Sequence, residues 1–310
     1  MSDNRRDAVS VLLPTLEWGP VCEELADQLG PNDEPLVLCD SERDPVAGRK
    51  TPNGVAVCIA GEPEGCSGKA NALAHGMERA ENDRFVWTDD DFDRTSDWLD
   101  RLVAAGERHG PATVIPEFVG EKWWRLVEPV SFVMATLTMY LRAGAWAGNA
   151  WGGGVTFTRD DVAIEELLTD LRACVSDDGA LSDHLGDAHA IRSMHASVHV
   201  PGDLHTVKER MSRFSRITHA HEGEVGEFVV SVLVVGLALL FPIYAIVIAT
   251  AIAGGVYALL RIGRSTFLFA YPALFVLPLI FAAGMFREEF EWTGRRYRLY
   301  DVNDIEVSNT

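Results

Sequence analysis

Three adjacent aspartates, Asp89, Asp90 and Asp91, stand directly after the apolar run Phe85–Thr88. Carboxylates in a row repel one another and cost stability unless a cation or a hydrogen-bond network compensates. Asp89 and Asp91, two apart at a strand end, carry the hard oxygens that Mg²⁺ or Mn²⁺ takes, with phosphate and water completing the shell. A solvated acidic turn is the plainer reading of the same residues, and their place after a buried strand favours a site. A second acidic pair, Asp177-Asp178, follows a helical stretch over Val162–Ala173. It reads either as the cap of a helix over Asp178–Leu185 or, if the first set holds a metal and a diphosphate, as the source of a general base.

Three glycines, Gly152-Gly153-Gly154, precede a strand-like Val155–Thr158. They let backbone approach a ligand closely, although a tight loop uses them too. Residues 65–70 resemble a phosphate loop only superficially. Pro63 stands where its first glycine belongs and Ala70 replaces the Ser/Thr, so a P-loop nucleotide hydrolase is excluded. Val207, Met211, Phe214 and Thr218 recur at helical spacing among Lys208, Arg210 and Arg213. That pattern describes an interfacial amphipathic helix, and it also places Arg210 and Arg213 one turn apart, where both reach an anionic diphosphate. The nine histidines show no pairing with acids or cysteines that makes a metal pattern.

The elements that must position these groups follow from the apolar runs. Val9–Leu13, Leu36–Cys39, Val55–Ile59 and Phe85–Thr88 read as strands, separated by helical stretches over Pro20–Leu29, Lys69–Arg79 and Trp98–Glu107. Strands apolar nearly throughout, alternating with helices, predict an α/β domain on a mainly parallel sheet. Its strand ends carry Thr15 and Glu17, then Asp40, then the triplet.

Acids outnumber Lys and Arg by 46 to 27, for a formal charge of −19, while 47% of residues are hydrophobic. The two properties separate along the chain. Residues 228–310 hold six acids and six bases, so the whole excess lies in residues 1–227. This excludes a nucleic-acid binder that works through bulk charge and excludes intrinsic disorder. Only four basic residues are lysines; an acidic, Lys-poor surface is what adaptation to concentrated salt produces, and an acidic protein from a GC-rich genome is the plainer reading. Five scattered cysteines without a CxxC read as free thiols, and the polar residues 1–10 do not read as a secretory leader.

Residues 228–260 and 265–286 carry no charge, and each is long enough to cross a hydrocarbon core of about 20 residues' depth. Basic residues precede the first stretch (Lys208, Arg210, Arg213, Arg216) and follow the second (Arg287, Arg295, Arg296, Arg298), with only Arg261 and Arg264 between. The bias predicts about two spans with both ends cytoplasmic. Breaking the first stretch at Pro242 would leave pieces of about 14 and 18 residues, the shorter below the ~17-residue minimum, which favours one long tilted or kinked helix over a hairpin. Trp123-Trp124 and the apolar run 132–141 are too short to span, and read as either a surface-lying segment or a core helix.

These parts in this order resemble family 2 glycosyltransferases of the GT-A fold, particularly the membrane branch of ceramide and hopanoid-lipid glycosyltransferases. Residues 9–15 are similar to the first strand with its Pro-Thr, 39–45 to the nucleotide-contacting turn, and 67–73 to the Gly-x-Lys-x-Asn segment. Asp89–Asp91 stand where the DxD metal motif belongs, 177–181 match the motif whose second acid is the base, and 210–214 match (Gln/Arg)-x-x-Arg-Trp with Phe214 for Trp. Glu17 comes one position earlier than in the family's common form.

The resemblance implies a metal-dependent inverting hexosyltransferase with Mg²⁺ or Mn²⁺ on Asp91 and Asp89, and Asp178 as base. It implies nucleotide-sugar contacts from Pro14, Thr15, Glu17, Asp40, Lys69, Asp89, Asp90, Arg210 and Arg213, with UDP the expected nucleotide. Acceptor contacts fall to Gly153, Gly154, Asp177 and Phe214. The implied organisation is a GT-A domain over 1–205, an interfacial helix over 206–227, a membrane region over 228–286 and a cytoplasmic tail over 287–310. The expected partners are a nucleotide sugar, a lipid acceptor and the cell membrane. Polyprenyl-phosphate or processive sugar transfer, and a non-catalytic protein on a degenerate transferase fold, are the alternatives.

Overall fold

The structure, a computed structural model, describes residues 6–52, 54–140, 150–222, 225–301 and 304–309. The start of the chain over 1–5 and Leu141, the end of one apolar run, lie outside the described residues. In chain order the elements are β1 (Val9–Pro14), α1 (Pro20–Ala26), β2 (Glu34–Cys39), β3 (Ala56–Ile59), α2 (Gly68–Arg79), β4 (Arg84–Thr88), α3 (Trp98–His109), β5 (Ala112–Gly120), α4 (Trp124–Tyr140), β6 (Gly154–Thr158), α5 (Ile164–Leu171), α6 (Asp177–Leu185), β7 (His189–Val200), α7 (Leu204–Glu222), α8 (Val225–Leu240), α9 (Pro242–Leu259), α10 (Ala270–Leu274), α11 (Leu277–Phe286), β8 (Glu289–Trp292), β9 (Arg295–Asp301) and β10 (Asp304–Asn309). The chain divides into two compact units, Met1–Pro116 with Gly148–Val198 and Glu117–Ala147 with His199–Thr310.

The first unit is mixed α/β. Its sheet runs β3-β2-β1-β4-β6-β5-β7. β3, β2, β1 and β4 are parallel neighbours, while β6 runs against both β4 and β5. A parallel return needs a crossover: α1 supplies it between β1 and β2 and α2 between β3 and β4, while residues 40–55 join β2 to β3 with no helix among the described residues. β1, β2 and β4 are buried along nearly every residue, which is why they read as unbroken apolar runs. Leu12, Leu36, Leu38, Leu73, Met77, Phe85, Trp87 and Phe157 form the main core. The parallel order brings the carboxyl ends of β2, β1 and β4 side by side, and Asp40, Thr15 and the aspartate triplet follow those ends.

The second unit is built from α4, α7 to α11 and the last three strands. Trp124 is fully buried and donates its indole N–H to the Phe118 carbonyl at 2.9 Å, whereas Trp123 is exposed; α4 thus starts as a core helix. The first charge-free stretch is divided at Phe241, where Pro242 opens α9. α9 is long and apolar enough to cross a membrane, α8 is shorter, and residues 266–274 and 277–286 reach that length only together, bent by 61°. Residues 287–310, read from sequence as a tail, contain an antiparallel sheet in the order β10-β9-β8. Phe290, Tyr297 and Leu299 are buried, and Thr293 and Gly294 both take positive φ in the two-residue turn between β8 and β9. That period-two pattern was present in the sequence.

Candidate active site

The acidic groups, Lys69 and the glycine run lie in the first unit. Asp89 follows β4 and its N–H donates to the Gly153 carbonyl at 3.1 Å. α2 begins at a Ser67 cap whose hydroxyl accepts the Ala70 N–H at 3.1 Å. This sets Lys69 on the first turn, with its Nζ 2.6 Å from Asp89 Oδ1 and 2.9 Å from Asp177 Oδ2. Burial works to lower the Lys69 pKa, but the charges of Asp177, Asp89 and Asp178 outweigh it and hold the ammonium well above its usual range. The lysine is therefore the cation that makes the two acidic clusters tolerable together.

α6 begins at Ser176, whose hydroxyl accepts the Gly179 N–H at 3.1 Å. Both readings of Asp177-Asp178 thus meet in one place: the cap is Ser176, and the acids occupy the first turn. Asp177 is buried against Lys69. Asp178 Oδ1 accepts the Gly152 N–H at 2.6 Å. Burial, then the charge of Asp177, pushes the Asp178 carboxyl up to about 7, the range suited to a base working near neutrality.

The glycines are required by these carboxylates. A Cβ on Gly152 would lie 2.5 Å from Asp177 Oδ2 and 2.8 Å from Asp178 Oδ1. A Cβ on Gly153 would meet Asp89 Oδ2 at 2.5 Å as well as the Trp151 ring. Gly154 is different: it opens β6 and is packed against Val114.

Asp90 and Thr15, on neighbouring strand ends, are bonded through the Thr15 hydroxyl, which also receives the Glu17 N–H at 3.2 Å. The Glu17 side chain is exposed, and Pro14 ends β1. Asp40 is buried, and its N–H and that of Ser41 donate to Asp44 Oδ2 at 2.8 and 2.7 Å. Asp91 is exposed. Arg210, Arg213 and Phe214 lie on α7 of the second unit. There the Arg210 guanidinium sits 4.6 Å over the Phe118 ring and Arg213 sits 4.7 Å over Trp292. Burial, with the charge of Arg210 next, lowers the Arg213 pKa to about 10.

One residue with a clear role went unread in the sequence. Arg94 is buried and donates to the Thr88 hydroxyl at 2.5 Å and to the Asp89 carbonyl, and packs 4.1 Å over the Phe92 ring. It braces the turn that carries the triplet. The only sequence signal was a basic residue three positions beyond three acids.

Among the described residues no group of three or more His, Cys, Asp or Glu forms a ready metal cage. Two carboxylates suffice for Mg²⁺ or Mn²⁺ when substrate phosphate supplies other oxygens. Asp89, with Oδ2 lodged beside Gly153, and Asp91 on the exposed side of the turn are hard oxygen donors of that kind. The donor set fits such an ion.

Residues 24–142 match the family model for glycosyl transferase family 2. No curated protein matches the chain. Among solved structures, a mycobacterial protein is similar at 17% identity over 67% of this chain and 74% of that one, with a TM-score of 0.37. Glucosyl-3-phosphoglycerate synthase from Mycobacterium tuberculosis, in complex with Mn²⁺, uridine-diphosphate-glucose and phosphoglyceric acid, is similar at 19% identity over 62% and 70%, with a TM-score of 0.39. Structural likenesses this distant carry nothing about activity.

Proposed function

We propose that this chain is a membrane-bound, inverting glycosyltransferase of GT-A type that moves a hexose from a nucleotide-diphosphate sugar to a lipid hydroxyl. The observation that carries the reading is Asp178, held by the Gly152 N–H at 2.6 Å and joined through Asp177 and Lys69 to Asp89. These contacts support a base and a phosphate-side carboxylate sharing one frame. The family match over residues 24–142 supports the donor half of the reaction.

With Oδ1 engaged by Gly152, the other Asp178 oxygen is the one that takes the acceptor proton. The acceptor oxygen attacks the anomeric carbon from the face opposite the diphosphate. The bond between that carbon and the phosphate oxygen breaks, and the leaving diphosphate keeps its electron pair. One displacement inverts the configuration. Asp89 and Asp91 would hold Mg²⁺ or Mn²⁺, which when bound neutralises charge on the diphosphate. Thr15 and Asp90 fix the turn on the donor side, with Pro14, Asp40 and Glu17 at the same sheet edge as the nucleotide's ground. Arg210 and Arg213 are proposed as phosphate ligands; their aromatic shelves hold the guanidinium planes without neutralising them.

The exposed apolar surface of α8 and α9 supports attachment to the cell membrane, with the catalytic residues on the cytoplasmic side where nucleotide sugars are found. The test is sugar transfer in membranes at high salt, with Mn²⁺ or Mg²⁺, a panel of labelled nucleotide sugars and an extracted polar-lipid acceptor. Label enters lipid with the native protein and is lost with chelator and with Asp178→Asn. Absence of both transfer and nucleotide binding would remove the enzyme reading.

A further inference from the structure

The two charge-free stretches, 228–260 and 265–286, are separated by Arg261–Arg264 and followed by Arg287. If each stretch crossed a bilayer once, the Arg261–Arg264 loop would emerge on the face opposite α7, across roughly 30 Å of hydrocarbon. The second unit has the loop elsewhere. Arg264 donates from Nε to Glu128 Oε1 at 3.0 Å and is also paired with Glu117. Glu128 Oε1 further accepts the hydroxyls of Tyr257 at 3.1 Å and Thr266 at 2.6 Å, so both sides of the loop are tied to α4. Val127, the residue before Glu128, lies in one apolar cluster with Trp124, Val200 and Val207 of α7, with Met211 packed against it.

Two residues beyond Val207, Glu209 accepts from Arg287 at 2.9 Å. Arg264, Glu128, Val127, Val207, Glu209 and Arg287 are therefore successive neighbours. Val276, midway along the second stretch, packs on the same cluster, which holds that stretch beside α7 and not across a hydrocarbon core.

We propose that α8–α9 is a re-entrant excursion, entering a lipid bilayer from the face that carries α7 and returning to it, while α11 lies along α7 with Gly284 against Ser215. This rests on the membrane reading above and replaces two crossings with none. α8, with 16 residues, falls short of a span, and the α10–α11 segment is bent by 61°. The turning point between α8 and α9 is Leu240, Phe241, Pro242, Ile243 and Tyr244, without a charge, and Leu240 and Ile243 are 72% and 75% exposed. A turn of that composition belongs in hydrocarbon and not in water.

At the turn itself Phe241 donates to the Leu237 carbonyl at 2.9 Å and accepts from the Ala245 N–H at 3.0 Å, and Pro242 has no N–H to leave bare. Every basic cluster that flanks an apolar stretch then lies on one face, which is the positive-inside pattern in its simplest form.

The experiment uses the full chain in sealed membrane vesicles of both orientations and a membrane-impermeant maleimide. Gly263→Cys reports the loop, Ser308→Cys the face of the last sheet, and Phe241→Cys the turn. The five native cysteines are buried, so the native chain is the blank and any rise in their labelling exposes a misfolded variant; Ile262→Cys then replaces Gly263→Cys.

The expected result is labelling of Gly263→Cys and Ser308→Cys in the same vesicle orientation, and of Phe241→Cys in neither until detergent is added. Labelling of Gly263→Cys only in the orientation opposite to Ser308→Cys would overturn the proposal, as would labelling of Phe241→Cys before detergent. Release of the protein by an alkaline wash would remove the membrane reading itself, a failure distinct from a wrong topology.

Discussion

Gly152 donates its N–H to Asp178 at 2.6 Å while lying so close to Asp177 that no side chain fits on it. The glycine both orients one carboxylate and makes room for its neighbour. Gly152→Ala is expected to force the α6 acids away from the loop, at about 1–3 kcal/mol of overpacking. Transfer should fall further than that stability loss accounts for. Thermal unfolding beside kcat measures the two separately, and unchanged kcat would show that Asp178 does not depend on this contact.

Asp178→Asn keeps an oxygen to accept the Gly152 N–H and removes the carboxylate proposed as base. General-base catalysis contributes roughly 10²–10⁴-fold, so kcat is expected to fall by that range with nucleotide affinity unchanged. Calorimetric titration of the nucleotide beside single-turnover transfer decides it.

The Asp178 pKa of about 7 lies above the value of about 3.9 for an unfolded aspartate. Two opposite pH trends follow. As a base, Asp178 becomes competent as pH rises through about 7, so kcat/KM should climb about tenfold per pH unit below that point and level off above it. In stability, its contribution is complete below about pH 4 and is lost as pH rises through about 7. The thermal midpoint of Asp178→Asn should therefore gain on the native protein across the same window. A flat profile for both quantities would contradict this assignment.

Lys69 is the shared cation of Asp89 and Asp177. Lys69→Met leaves the buried Asp177 carboxylate without its cation, and breaking a buried pair costs about 3–5 kcal/mol. Adding Asp177→Asn to that variant should recover part of the loss. Chemical denaturation of the single and double variants tests the pairing, and additive losses would argue against it.

Arg94 acts on the triplet through backbone, by way of the Asp89 carbonyl and the Thr88 hydroxyl. Arg94→Met keeps the packing on Phe92 and removes the donors. The expected effect is a weaker response of transfer to Mn²⁺ or Mg²⁺, visible as a raised half-saturating metal concentration. Rescue by Arg94→Lys should be incomplete, because lysine lacks the planar fork that reaches both acceptors.

What the sequence determined by itself was local. Runs such as Val9–Leu13 and Phe85–Thr88 show no alternation because both faces of a parallel strand are covered, and that pattern is written in consecutive residues. The types of the site residues were equally legible, since three carboxylates after a buried strand demand compensation whatever the fold.

The tertiary structure decided who compensates whom. Lys69 and Asp177 are 108 positions apart, and Gly152 and Asp178 are 26 apart; they meet because the starts of α2 and α6 and the loop before β6 converge past the end of β4, an arrangement set by strand order and not by propensity. A glycine in sequence announces a close approach without naming the neighbour: the run at 152–154 reads as room for a ligand or as a tight loop, and the structure adds that two of its members lie against carboxylates. The ends of the apolar stretches were the same kind of problem. Hydropathy counts residues that tolerate lipid, but the place where a loop returns depends on a bond such as Arg264 to Glu128, which joins residues 136 apart and has no signature in either segment alone.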